Sequence, residues 1–200
     1  MDVNVVRKSY TPLFVACTQR DFETVCMLLK HGADPNLSCP TNATASHVIK
    51  TPLILAVETA DIKLTAELLN NKADVNIADN RGNTTLHAAI RIAIWNPSAC
   101  LKIIETLLEN DAKVNGLNGE GESALYRYLS TTISKQYQSY STESVVNHDV
   151  VRLLLDSGAD PNLIAKGQYR KTLLSYAVNS RPNDEVLSRM LIEYGAKVDL

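Results

Sequence analysis

The sequence predicts an all-α fold, a solenoid of stacked helix pairs with protruding β-turn fingers, forming a single domain over residues 1–200. Two recurring phrases carry that expectation. The first is Leu28-Leu29-Lys30-His31-Gly32-Ala33-Asp34-Pro35-Asn36, which returns from Leu68 to Asn76, Leu107 to Asn115, Leu154 to Asn162 and Leu191 to Asp199. The second always lies upstream: Thr11-Pro12-Leu13-Phe14-Val15-Ala16, then Thr51 to Ala56, Thr84 to Ala89, Ser123 to Tyr128 and Thr172 to Ala177. A third observation is composition. With 45% apolar and 21% charged residues and only 8 Gly and 7 Pro, the chain can bury a core and is not linker-like.

Each phrase has a local physical reading. Thr accepts a bond from a free backbone N–H at a helix start, and Pro at the first helical position loses no hydrogen bond, so Thr-Pro opens a first helix. Leu53 and Ala56 fall on one face three residues apart, the small Ala admitting a neighbouring helix. A second helix carries Ile62, Ala66, Leu68 and Leu69 at helical spacing. Gly then takes the left-handed conformation that closes it, and Asp-x-Asn turns the chain outward. Lys72 and Asp111 stand where the other units have Gly, so those two caps are expected to be strained.

These units resemble the ankyrin repeat family, whose unit of about 33 residues is a helix pair plus a protruding β-turn. The likeness is tightest over Asp79-Asn80-Arg81-Gly82-Asn83-Thr84-Thr85-Leu86-His87-Ala88-Ala89. It gives approximate repeats 5–37, 48–77, 79–116, 118–163 and 168–200. The spacing is irregular: 40 residues from Gly32 to Lys72, 39 on to Asp111, 47 on to Gly158 and 37 on to Gly195. Each excess reads as an insertion. Ser38 to Lys50 lengthens a finger into a solvated, mobile loop. Ile92 to Ala99 and Ser130 to Asn147 separate the helices of the third and fourth units, lying opposite the fingers or extending the first helix. The last of these reads as a tolerated surface loop, the alternative being a second binding edge. The chain stops at Leu200 where a finger should begin, which reads as a fragment. In this family the remainder could be another repeat, a ubiquitin-ligase adaptor box or a catalytic domain.

Several function classes are disfavoured. A net charge of −2 gives no field to hold a polyanion or an anionic lipid, so neither nucleic acid nor membrane is the expected partner. Met1 to Arg20 has no uninterrupted apolar core, and no run approaches a membrane span. Of four cysteines, Cys17, Cys26 and Cys100 fall in helical segments and Cys39 in a loop. Reduced thiols are expected, hence the cytoplasm or nucleus. No nucleophile elbow, phosphate loop or dinucleotide fingerprint appears, and His31, His47, His87 and His148 are too dispersed for a zinc site. No enzyme activity, cofactor or metal is expected. The resemblance makes His87 a structural residue bonding neighbouring backbone. Asn83-Thr84-Thr85 matches a glycosylation sequon but overlaps a helix start; it and Asn42-Ala43-Thr44 read as accidental. Asn36, Asn76, Asn115 and Asn162 sit where ankyrin proteins are known to be hydroxylated, and are expected simply to bond the turn backbone.

A helix pair cannot cover its own apolar face, so the units stack and leave finger tips and first helices free to specify a partner. The exposed candidates are Arg7, Lys8, Tyr10, Thr18 and Gln19; His47, Lys50, Glu58 and Thr59; Asn80, Arg81, Asn83 and Arg91; Glu120, Glu122 and Ser130; and Lys166, Lys171 and Asn179. Basic first, third and fifth units beside an acidic fourth suit a protein or peptide of mixed charge. The lone Trp95 is expected to fill the core beside the inserted residues, the alternative being an interface anchor. The expected function is protein–protein interaction on the concave finger and inner-helix surface by a monomeric domain acting as adaptor or scaffold. The alternatives are a stoichiometric inhibitor masking a signalling or transcription factor, pathogen-encoded mimics included, and a regulatory module of a larger enzyme or channel.

Overall fold

A computed structural model of the chain describes residues 3–6, 9–41, 48–139, 146–166, 171–179 and 184–198. Among these residues five helix pairs follow one another: α1 (Pro12–Gln19) and α2 (Phe22–Lys30), α3 (Pro52–Glu58) and α4 (Ile62–Asn70), α5 (Thr85–Ile90) and α6 (Pro97–Glu109), α7 (Ala124–Ser139) and α8 (His148–Asp156), α9 (Leu173–Val178) and α10 (Glu185–Glu193). First helices touch first helices along the row, α1 to α3 to α5 to α7 to α9. Second helices do the same from α2 to α10. This is the all-α solenoid of stacked helix pairs that the repeats predict.

Local capping chemistry sets where each helix begins. Thr11, Thr51 and Thr172 accept from the third helical N–H through their hydroxyls, and Ser123 does so for Tyr126. The second helices open on carboxylate or amide caps that the repeated phrases do not include: Asp21, Asp61, Asn96, Asn147 and Asp184. At the far end of each second helix the chain turns left-handed, with φ of 84° at Gly32, 88° at Gly158 and 87° at Gly195. Lys72 and Asp111 adopt the same conformation at φ 67° and 63°, where a side chain is disfavoured.

The core runs the length of the stack. Leu13, Leu53, Leu86 and Leu125 are buried one above another at the same helix position, and Ala16, Ala56, Ala89 and Ala177 line the seam where helices approach. Tyr128 replaces Ala in the fourth unit, and its hydroxyl accepts the Asn147 backbone N–H at 2.8 Å. On α4 the buried set is Leu64, Thr65, Leu68 and Leu69, whereas Ile62 lies exposed at the helix start. All four cysteines are free thiols. Burial pushes Cys17, helped by Asp61, and Cys100 up to about 12, which leaves both inert.

A polar ladder ties one unit to the next. The Asn36 carboxamide donates to Lys72 O at 3.2 Å and accepts from the Asp74 N–H at 2.7 Å. Asn76, Asn115 and Asn162 repeat both bonds one unit further on, and Asn4 does so toward Gly32 and Asp34. Sequence reasoning assigned these asparagines to the turn backbone, and they do bond turn backbone, but that of the following unit.

The insertions resolve into structure. Cys39–Pro40 and Ile49–Lys50 form an antiparallel pair, β1 and β2, so Cys39 lies in a strand and not in a loop; 42–47, where mobility is expected, lie outside the described residues. In the third unit a 3-10 turn, Arg91–Ile94, continues α5. In the fourth, α7 runs on to Ser139, so 130–139 are helical where a surface loop is expected. Both extend first helices, one of the two placements expected.

Candidate functional site

Two adjoining hollows form one groove along the first helices of the second, third and fourth units. One, of about 660 Å³, is lined by Lys50, Glu58, Arg91, Trp95, Arg127 and Thr131 among others. The other, of about 460 Å³, lies toward the finger tips and adds Arg81, Asn83, His87 and Glu120. Lys50, Glu58, Arg91 and Arg127 line both.

The finger tips are held by their own turns and by one another. Asp79 accepts the N–H groups of Arg81 and Asn83 through one carboxylate oxygen, and Asn118 plays the same part for Glu120 and Glu122. Backbone bonds then join the fingers: Asn80 N–H to Ile49 O at 3.3 Å, Gly119 N–H to Arg81 O at 2.9 Å and Lys166 N–H to Glu120 O at 3.2 Å. Only glycine fits at 119, because a Cβ there would stand 2.6 Å from Arg81 O. His87 anchors the row from below. Its Nδ1 accepts the Thr84 N–H at 3.2 Å and its Nε2 donates to Glu122 O at 3.0 Å. Burial holds its pKa below the ordinary imidazole value, so the ring is neutral. The structural role that the resemblance implies for His87 is the one seen.

The groove's charges are paired within the protein. Lys50 Nζ donates to Glu58 Oε2 at 2.5 Å and Arg91 Nη1 to Glu58 Oε1 at 3.1 Å. Arg127 Nη1 donates to Glu122 at 2.6 Å and to Glu120 at 3.2 Å. Sequence reasoning treats Lys50, Glu58 and Glu122 as exposed; all three side chains are largely buried, because each sits under a partner of opposite charge. Trp95 corrects the expectation of core packing. The 3-10 turn that continues α5 carries it out to the groove wall, where it is 59% exposed.

The structure brings Lys50, Glu58, Arg81, Asn83, Arg91 and Glu120 to the groove, with Glu122 beneath it. Asn80 stays at the finger row, where its Oδ1 accepts the Ile49 N–H at 3.1 Å. Lys166 lays its side-chain carbons against Gly121. The others lie elsewhere. Tyr10 and Gln19 line a separate apolar cleft of about 710 Å³ on the first unit. Lys171 places its ammonium 5.8 Å from the Tyr176 ring, and Asn179 closes α9 by donating to Ser175 O. Arg7, Lys8 and His47 fall outside the described residues. Sequence reasoning missed Arg127, because its helix position holds Val15, Leu55 and Ala88 in the preceding units and so reads as apolar. One helical turn before the chosen Glu58 and Arg91 column is the signal that finds it. Among the described residues no cluster of His, Cys, Asp and Glu could hold a metal ion, and no helix is long and apolar enough to cross a membrane.

Comparison with known proteins agrees with this architecture. The model for ankyrin repeats in three copies matches residues 39–118, and that for a single ankyrin repeat matches residues 8–39. Human ankyrin repeat and SOCS box protein 6 is 28% identical over 191 residues, covering 94% of this chain and 43% of that protein. The chain thus spans less than half the length of that relative. Two fowlpox virus ankyrin repeat proteins are similar. FPV031 is 32% identical over 160 residues, 76% of this chain and 42% of its own length. FPV230 is 26% identical over 188 residues, 94% of this chain and 84% of its own length. Among solved structures, an ankyrin repeat domain from Acinetobacter baumannii superposes with a TM-score of 0.74 at 25% identity, covering 98% of this chain and 88% of that one.

Proposed function

The chain belongs to the ankyrin repeat family, whose repeats are in general non-catalytic protein-interaction modules, and from that premise we propose that it captures a protein or peptide partner in the groove spanning its second to fourth units. The observation that carries this reading is convergence. Lys50, Glu58, Arg81, Arg91, Glu120 and Arg127 come from three units, some on the fingers and some on first helices and their extension, yet line one continuous hollow with the exposed Trp95 on its wall. Polar groups held in place by fold contacts, beside an aromatic anchor, are what a specific protein interface requires. The pairing of Glu58 with Lys50 and Arg91, and of Arg127 with Glu120 and Glu122, argues for a partner of mixed charge over a polyanion. On this reading the domain is a monomeric adaptor or scaffold of the cytoplasm or nucleus and catalyses nothing.

The adaptor role draws support from the human relative, whose name joins ankyrin repeats to a SOCS box. A second reading is a stoichiometric inhibitor masking a signalling or transcription factor, pathogen-encoded mimics included. Affinity capture with the tagged chain and its Arg81→Glu/Arg91→Glu variant tests the surface. Capture is lost in the variant if the groove is the site, and retained in full if it is not. Ligase subunits among the groove-dependent proteins support recruitment, whereas a lone transcription factor supports masking.

A further inference from the structure

Two charged groups in the groove, Glu58 and Arg127, each hold two partners of opposite charge, one shielded and one exposed, and the exposed one is expendable. Glu58 is held by Lys50 at 2.5 Å and by Arg91 at 3.1 Å. The Lys50 side chain is 14% exposed and that of Arg91 69% exposed. If Arg91 swings away, Glu58 keeps its buried partner and no charge is orphaned. The arrangement at Arg127 is the reverse. Its guanidinium holds Glu122, 14% exposed, at 2.6 Å and Glu120, 72% exposed, at 3.2 Å. Here the expendable group is an anion. The groove therefore offers a releasable cation at the end of α5 and a releasable anion at the tip of the fourth finger. Trp95 shares the larger hollow with the cation.

We propose that the groove recognises an extended segment of a partner protein that bears a carboxylate, a neighbouring aromatic or aliphatic side chain and, further along, a basic residue. The apolar side chain packs on Trp95, the carboxylate takes the guanidinium of Arg91, and the basic side chain takes Glu120. Docking exchanges two intramolecular ion pairs for two intermolecular ones and leaves the two buried pairs, Lys50 with Glu58 and Arg127 with Glu122, intact. Selectivity follows from the same pairs. A uniformly acidic segment meets Glu120, and a uniformly basic one meets Arg91, so each carries a repulsive contact. This rests on the groove being the binding site, as proposed above, and adds the chemistry of what enters it.

The test is a random-peptide phage library selected against the full chain and then screened against Arg91→Glu, Glu120→Lys and Trp95→Ala variants that keep the parental melting midpoint. Arg91→Gln and Glu120→Gln serve where a reversal fails to fold. The expected selection is enriched in peptides combining an acidic, an apolar and a basic residue. Each variant should bind them about tenfold more weakly, the loss of one charge-assisted or anchoring contact. Arg91→Glu should also select for a basic residue in place of the acidic one. Enrichment of uniformly acidic peptides, selected peptides that bind all variants equally, or no enrichment overturns the inference, as does occupation of the groove by a second copy of the chain, seen as a Trp95-dependent dimer in sedimentation. Binding that is lost in Arg81→Glu but indifferent to Arg91 and Glu120 overturns this inference alone. Binding indifferent to every groove variant overturns the groove reading too.

Discussion

Asn76 holds Asp111 in its left-handed turn from the preceding unit: its Nδ2 donates to Asp111 O at 3.1 Å and its Oδ1 accepts the Lys113 N–H at 2.9 Å. One side chain thus fixes where α6 ends and how the second and third units sit together. Asn76→Ala removes both bonds and should cost about 1–2 kcal/mol in urea unfolding. Asn76→Asp keeps only the acceptor and should fall between the two. An unchanged midpoint for Asn76→Ala would deny the ladder any part in stability.

The left-handed residue at each helix end carries its own expectation. Lys72, at φ 67°, occupies a conformation that Gly adopts without a Cβ penalty. Lys72→Gly should therefore stabilise the protein by about 0.5–1 kcal/mol after the added freedom of the unfolded chain is counted. The reverse change, Gly158→Ala at φ 88°, should destabilise by a similar amount. Thermal or urea midpoints of the two variants must move in opposite directions.

How far the fold and site were legible follows from the range of the interactions. Thr51, Pro52 and Gly158 act on backbone within a few residues, so helix starts and stops could be read from the repeated phrases. The partner of Asn76 lies 35 residues away, and nothing local marks it. Arg91 and Glu58 were chosen individually as exposed residues, yet their pairing across 33 residues, which decides what the groove offers, exists only after stacking. Trp95 was misassigned because an apolar run interrupted by Arg91 reads as core. Only the 3-10 continuation of α5 turns it outward. Arg127 was hidden by the apolar residues at its position in the other units.

The finger row should be sensitive to a single methyl group. Gly119→Ala places a Cβ against Arg81 O and must break the Gly119 N–H bond to that carbonyl or shift a finger. A destabilisation of about 1–3 kcal/mol is expected, together with weaker partner capture. Amide exchange at Gly119 and Asn80 reads the effect directly, since their N–H groups carry the links to the neighbouring fingers.

His87 makes stability depend on pH. Its pKa is lowered from 6.5 chiefly by burial. Above 6.5 the ring is neutral in both folded and unfolded chains and its contribution is complete. As pH falls below that value the unfolded chain binds the proton first, and stability declines until the lowered folded value is passed. Protonation also sets an N–H against the Thr84 donor. Urea midpoints should fall between pH 7 and about 5. In His87→Gln that component should vanish; a pH profile identical to the parent's would remove His87 as its source.

Trp95 is the chain's only tryptophan and stands on the groove wall, so 5-fluorotryptophan labelling gives one ¹⁹F resonance that reports this site whatever the partner contains. Titration with a captured partner should shift or broaden that resonance in the parent chain and leave it untouched in Arg81→Glu/Arg91→Glu. A resonance unmoved at saturating partner would contradict recognition in the groove.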